Sequence, residues 1–271
     1  MVRSLWTAAT GMIGQQTNVD TIANNLSNVN TTGYKAQVNE FKSLLYQNLQ
    51  TRTTSANGER KPSGAQVGLG VRNAAINTLF TNGPMLSNDS NTAFAISGKG
   101  FFAVRGEDGN TYYTRNGNFQ WTIATNGTML ADSEGNPVLD TQNRPIILDN
   151  RYDATQITVT ADGSVCYPDE QNNPRPLGIT IGLYQFTNPA GLERKDSSLY
   201  QQSAASGAPI NEATSTTVEK SAVLQNFLEG SNVQIVDEMV NMIVAQRAYE
   251  INSKAITASD EMLQQANNLR G

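Results

Sequence analysis

Apolar residues recur at alternating steps of four and three near both ends of the chain, with short β-like runs between. Leu5, Ala9, Met12, Gln16, Val19, Ala23 and Leu26 form a heptad seam, and Ile22 and Val29 widen it. This predicts a helix about 40 Å long at about 1.5 Å per residue, ending near Asn30, where Thr31-Thr32-Gly33 supplies a stop. Gly11 and Gly14 each cost about 1 kcal/mol against Ala, so packing, not propensity, must hold it. At the other end Val240, Val244, Ala248, Ile251, Ala255, Ala258 and Met262 make a second stripe, with Val233, Val236 and Ile243 leading in. Asp237 and Glu238 suit the positive end of its helix dipole, and Glu250 and Lys254 form an i,i+4 pair.

Between the ends lie runs such as Phe101-Phe102-Ala103-Val104, Thr111-Tyr112-Tyr113-Thr114 and Gly178 to Phe186. They are punctuated by Asp108-Gly109-Asn110, Asn116-Gly117-Asn118 and Glu134-Gly135-Asn136-Pro137. This spacing predicts an antiparallel sandwich or barrel, not βαβ units. Gln50 to Gly64 and Gln201 to Thr217 have the composition of linkers or extended arms. A helix with one narrow apolar stripe is marginal alone in water. The economical expectation is that the two stripes meet each other, and that leftover apolar surface meets other copies of the chain.

The fold class expected is therefore α+β. N- and C-terminal helices pair as a coiled-coil inner domain, with a mostly antiparallel β-rich outer domain and an extended arm. The expected divisions are 1–45 for the N-terminal helix, 46–70 for the arm and 93–187 for the outer domain. Linking β segments occupy 71–92 and 188–225, and the C-terminal helix 226–271.

Composition narrows the chemistry. With 19 Lys+Arg against 24 Asp+Glu the net charge is −5, the wrong sign for a protein that neutralises phosphates. Histidine is absent, which removes the commonest general base and metal ligand. Cys166 is the single cysteine, so neither an internal disulfide nor a Cys-based zinc site is possible. Asp89, Glu107, Asp108, Asp132, Glu134, Asp140, Asp149 and Asp162 neighbour turn residues and read as turn formers. Gly98-Lys99-Gly100 lacks the third glycine and the helix of a dinucleotide loop, and reads as a bend into a buried strand. No catalytic, metal or cofactor site is expected. No stretch approaches the roughly 18 apolar residues of a membrane span, and no signal-peptide run opens the chain. Two other classes remain open. A glycan-cleaving enzyme would need two paired carboxylates. A carbohydrate-binding module would use the aromatics Phe101, Phe102, Tyr112, Tyr113, Phe119 and Trp121, which core packing explains as well.

Specific strings go further. Ala23-Asn24-Asn25-Leu26-Ser27-Asn28-Val29-Asn30-Thr31-Thr32-Gly33-Tyr34-Lys35 resembles the N-terminal signature of bacterial flagellar rod and hook proteins. Glu229-Gly230-Ser231-Asn232-Val233 and the run from Glu238 to Ile256 resemble their C-terminal block. Gly98 to Val104 and Tyr113 to Phe119 resemble the start of their outer domain. Within that family the opening Met1 to Gly11 and the stretch Phe41 to Arg72 are similar to the distal-rod members.

The resemblance implies a non-enzymatic structural subunit of the distal rod that self-assembles into a straight hollow drive shaft. Hook or proximal-rod subunits are the alternative. It implies an assembly seam of Leu5, Ala9, Met12, Val19, Ile22, Leu26, Val29, Val236, Val240, Ile243, Val244, Ala248, Ile251, Ala255 and Met262. The family signature falls on Asn24, Asn25, Asn28, Gly33 and Tyr34, and an inter-subunit arm on Tyr46, Arg52, Arg60, Lys61 and Pro62. Implied partners are copies of itself, proximal rod proteins below, hook protein above, outer ring proteins and the flagellar type III export apparatus. Nucleic acid and membrane insertion are not expected. The implied place is the basal-body rod across the periplasm, reached without a cleaved signal peptide.

Overall fold

The computed structural model describes residues 2–50, 65–124, 127–169, 171, 173–196 and 198–268. The chain divides into two compact units. One takes 1–27, 37–78 and 234–271; the other takes 28–36 and 79–233.

The first unit holds both long helices, α1 (Val2–Ser27) and α2 (Ile235–Asn268). Between them in sequence come β1 (Gln37–Ser43), β2 (Tyr46–Gln50), β3 (Ala65–Gly68) and β4 (Val71–Thr78). β1 pairs antiparallel with β4 from Gln37↔Thr78 to Ser43↔Val71, and β2 with β3 from Tyr46↔Gly68 onward. Leu44 N–H donates to Gly70 O at 2.9 Å and Leu69 N–H to Leu45 O at 3.2 Å, so the two ladders join into one ribbon. Gly70 has φ +112°, and a Cβ there would overlap Thr10 Oγ1. α1 packs on α2, β1 and β4.

The second unit is the β-rich body. Its largest sheet orders six strands as Glu193–Arg194, Leu199–Gln201, Thr111–Thr114, Phe101–Arg105, Leu183–Gln185 and Ile210–Asn211. Every adjacent pair in that sheet is antiparallel. The strand Phe101–Arg105 alternates its side chains between two cores, as strand pleating requires. Phe102 and Val104 enter a cluster with Phe94, Phe119 and Leu130, while Phe101 and Ala103 join Tyr113, Tyr184, Phe186 and Tyr200. This strand follows Gly98, whose φ of +140° makes the expected bend.

Three expectations change. The helices are shorter than the spans 1–45 and 226–271. α1 stops at Ser27, and Thr31 N–H donates to Asn28 O at 3.1 Å in a turn. Before α2, Phe227–Glu229 is a strand paired with Met85–Ser87. The segment 201–217 is not a loose linker: Ser206 and Glu212 are buried there. Its small polar residues satisfy one another, Ser206 Oγ donating to Ser203 O at 2.9 Å, while Glu212 accepts Ser221 N–H at 2.6 Å and Gln185 Nε2 at 2.9 Å. Lastly, the flanks of the arm, 46–50 and 65–68, are paired strands; its interior lies outside the described residues.

Candidate functional site

The contact between α1 and α2 is built on seven-residue columns of small and amide side chains. Ser4 Oγ lies 3.4 Å from Ser259 Oγ. A Cβ on Gly11 would stand 2.8 Å from Asn252 Nδ2. Asn25 Nδ2 donates to Glu238 Oε1 at 3.3 Å. On α1 the column ascends by sevens from 4 through 11 to 25; on α2 it descends by sevens from 259 through 252 to 238, so the helices run antiparallel. The same interval puts Ala245, 1% exposed, on the facing column. Gly11 thus marks the close approach of α2, and Gly14 that of β1, where Phe41 Cε1 would be 3.1 Å from an added Cβ.

The apolar stripe of α2 points the other way. Val236 is 73% exposed and Val240 54%, and Ile243, Val244, Ile251 and Met262 are also exposed. Around the helix, Val240, Ile243 and Ile251 lie about 100° or more from both Ala245 and Asn252. This corrects the expectation that the two stripes meet. Ala248 is half-buried and Ala255 exposed. On α1, Ile22 is buried and Leu5, Ala9, Met12, Val19 and Leu26 are half-buried, while Trp6 and Ile13, seven residues apart, are exposed. Val29 leaves the seam: it packs with Tyr34, Ala36 and Val233 in the other unit. The physical reason is that Asn and Ser at heptad positions count as polar surface in a hydrophobic pattern, whereas here they form the contact.

In the β-rich unit, residues 28–36 form a strap seated on the segment that leads to α2. Gly33 N–H donates to Glu229 O at 2.8 Å, and Ala36 N–H to Asn232 Oδ1 at 2.7 Å. Gly33 has φ +68°, and a Cβ would fall 2.5 Å from Asn116 N. Tyr34 is buried with the Arg194 guanidinium 4.6 Å from its ring centroid. At the end of the strap Lys35 is fully buried; its Nζ lies 2.6 Å from Glu229 Oε1 and donates to Thr81 O at 2.8 Å. Arg115 Nη1 reaches Glu229 Oε2 at 3.3 Å, Arg115 Nη2 donates to Gly98 O at 2.8 Å, and the Gly83 N–H donates to Glu229 Oε1 at 2.9 Å. Burial draws the Lys35 ammonium below its ordinary lysine value; the Glu229 carboxylate opposes this.

Residues 5–35 match the family described as flagella basal body rod protein. Residues 95–167 match the flagellar hook protein FlgE/F/G D1 domain, and 224–269 the flagellar basal body rod FlgEFG protein C-terminal. The flagellar basal-body rod protein FlgG of Borreliella burgdorferi is 45% identical, covering 100% of this chain and 99% of that one. FlgG of Agrobacterium fabrum is 40% identical over 96% and 97%, and FlgG of Bacillus subtilis 35% over 100% of each. The chain belongs to the flagellar basal-body rod protein family. Lys35, Arg115 and Glu229 come one from each of the three matched segments. The sequence set these three charged residues inside three signature strings of a chain only 16% charged, without showing that they meet.

Of the other signature residues, Asn24 Nδ2 donates to Gln37 Oε1 at 3.3 Å, and Asn28 Oδ1 accepts Thr31 Oγ1 at 3.2 Å. Of the arm residues, Tyr46 is exposed on β2, beside exposed Leu45 and Leu49; Arg52, Arg60, Lys61 and Pro62 lie outside the described residues.

Asp108, Asp132, Asp140 and Asp149 brace turns. Asp132 Oδ1 accepts the N–H groups of Glu134 and Asn136 at 2.9 and 2.8 Å, and Asp140 Oδ1 those of Gln142 and Arg144 at 2.7 and 2.9 Å. Phe101, Phe102, Tyr113 and Phe119 are buried, so they offer no sugar-stacking face. Among the described residues no group of three acidic or metal-ligating side chains could hold a metal ion, and no helix is long and apolar enough to cross a membrane.

Proposed function

We propose that this chain is a structural, non-catalytic subunit of the distal rod of the flagellar basal body, and that it assembles with copies of itself into a straight hollow shaft that carries torque. The observation that supports this most is the outward apolar stripe of α2. It is a narrow, regular surface on a helix whose inner face is already occupied by α1. Stripes spaced this way are completed by other helices. In a family whose relatives are named for the rod, a second copy is the matching occupant. In this reading α1 and α2 pair as a coiled coil through their small-residue columns and form the inner domain. The β-rich unit is the outer domain, and the seam is completed between subunits.

The finer reading follows the same line. The arm from Tyr46 to Gly64 bridges neighbours and resists sliding. Proximal rod proteins lie below, hook protein above and ring proteins outside. The chain crosses to the periplasm by the type III export route. Electron microscopy of the purified full chain tests the core claim: straight tubes are expected, and a persistent monomer at high concentration overturns it. Deleting Tyr46 to Gly64 should leave a softer or curved polymer; equally stiff straight tubes would remove the arm from the mechanism.

A further inference from the structure

We infer that the Lys35–Glu229–Arg115 cluster is a two-state joint that seats the strap 28–36 and the segment 226–233 together or not at all. The strap immediately follows α1 in sequence and 226–233 immediately precedes α2, so the joint governs the two leads to the helices from within the β-rich unit. Any role for it in carrying torque rests on the reading above; the joint itself does not.

The inference starts from the charge balance. The Lys35 and Glu229 side chains are 0% exposed and the Arg115 side chain 1%. Two buried cations share one buried carboxylate. Removing the carboxylate leaves both cations uncompensated in the interior, which is far worse than losing an exposed pair. Lys35 Nζ also donates to Thr81 O, and the Arg115 guanidinium sits 5.0 Å from the Phe101 ring centroid, with its Nε unpartnered. Among the described residues, neither cation has a second anion within ion-pairing distance. The strap therefore cannot seat its ammonium until Glu229 is in place.

The backbone bonds couple in the same direction. Gly33 N–H binds Glu229 O, Ala36 N–H binds the Asn232 side chain, and Gly230 N–H binds Pro84 O at 2.8 Å. The segment 79–84 is held from both sides: Leu79 N–H donates to Ala36 O at 2.8 Å, and Gly83 N–H to Glu229 Oε1. Displacing 226–233 takes the counter-ion from Lys35, and displacing either segment breaks the Gly33 and Ala36 bonds to Glu229 and Asn232. Local opening of contiguous bonded segments is how native proteins unfold in parts.

Hydrogen–deuterium exchange on the full-length monomer tests this without any rod. In Glu229→Gln, peptides covering 28–36, 79–84 and 226–233 should exchange at least about tenfold faster, and together, because a cooperative unit opens as one. Peptides covering 101–104 and 183–186 should keep their wild-type rates. Faster exchange of 226–233 with the strap still protected overturns the coupling. So do unchanged rates in all three segments, and so does a uniform rise across the unit. Lys35→Met makes a second test, because methionine fills much of the lysine's space without its charge; if Glu229→Gln alone does not yield folded protein, recovery of folded protein in Lys35→Met/Glu229→Gln bears the joint out, and its failure to recover overturns it. Lys35→Met should free the strap from its dependence on Glu229, so that Lys35→Met/Glu229→Gln protects 28–36 better than Glu229→Gln alone. Equal exposure of the strap in both overturns the joint. Failure of the protein to form tubes would bear only on the rod reading.

Discussion

The side chain of Asn25 holds the backbone of Gln37 at both ends of its amide: Nδ2 donates to Gln37 O at 2.8 Å, and Oδ1 accepts Gln37 N–H at 2.9 Å. A buried side chain on α1 thus acts as one more strand partner for the first residue of β1. Its Nδ2 also reaches Glu238 Oε1 on α2. Burial raises the Glu238 pKa above its ordinary value, and the Asn25 hydrogen bond offsets part of that. No other residue type of this size offers a donor and an acceptor in the peptide's own geometry.

Asn25→Ala should therefore lower stability by about 1 to 3 kcal/mol, since it removes two hydrogen bonds from the half-buried backbone of Gln37. Chemical denaturation of the monomer measures it. Asn25→Asp should be worse, because it sets a second carboxylate beside Glu238 and loses the donor to Gln37 O. Equal stability of wild type and Asn25→Ala would dismiss the clamp.

Stability and assembly should separate on the two faces of α2. Val240 and Val244 are exposed, so Val240→Asp should change monomer stability by no more than about 0.5 kcal/mol while abolishing sedimentable polymer. Ala245 is 1% exposed, and Ala245→Asp should cost about 3 kcal/mol or more through a buried unpaired charge. Leu26→Asp, at a half-buried position, should reduce both. Polymer of normal size from Val240→Asp would remove the stripe from assembly.

The glycines should rank by what surrounds them. Gly11→Ala meets only the far end of the Asn252 side chain, and its clash is partly offset by a gain in helix propensity of about 1 kcal/mol. Gly33→Ala combines positive φ with backbone at 2.5 Å, and should cost more than about 2 kcal/mol. Thermal melts of the two variants should differ by several degrees, with Gly33→Ala the lower.

Alkaline pH should loosen the β-rich unit. Burial, then Tyr184, pushes the Tyr113 phenol up to about 12; burial, ahead of opposing effects from its neighbours, does the same to Tyr200. Both phenols stay protonated in the folded state while the unfolded chain ionises near the ordinary value of 10. Their stabilising contribution is complete below about pH 10 and is lost as pH rises from about 10 to 12. Melting temperature against pH, with phenolate absorbance followed in parallel, checks this. Replacing Tyr113 with Phe should flatten the fall.

What the sequence determined by itself is local. Heptad spacing marked both helices, turn dipeptides marked the antiparallel β-rich centre, and the absence of histidine with carboxylates beside turns argued against catalysis. Each of these depends on neighbours within a few residues, which a periodicity can register. Only the tertiary structure decided which face of each helix is inner. A valine's hydrophobicity is the same whether its cover is α1 or another molecule, and Asn25, Asn252 and Ser259 look like solvent-facing residues until their partners are placed. The joint at Glu229 was equally out of reach. Lys35 and Glu229 are 194 residues apart, and their attraction matters only after the β-rich unit has excluded water from both.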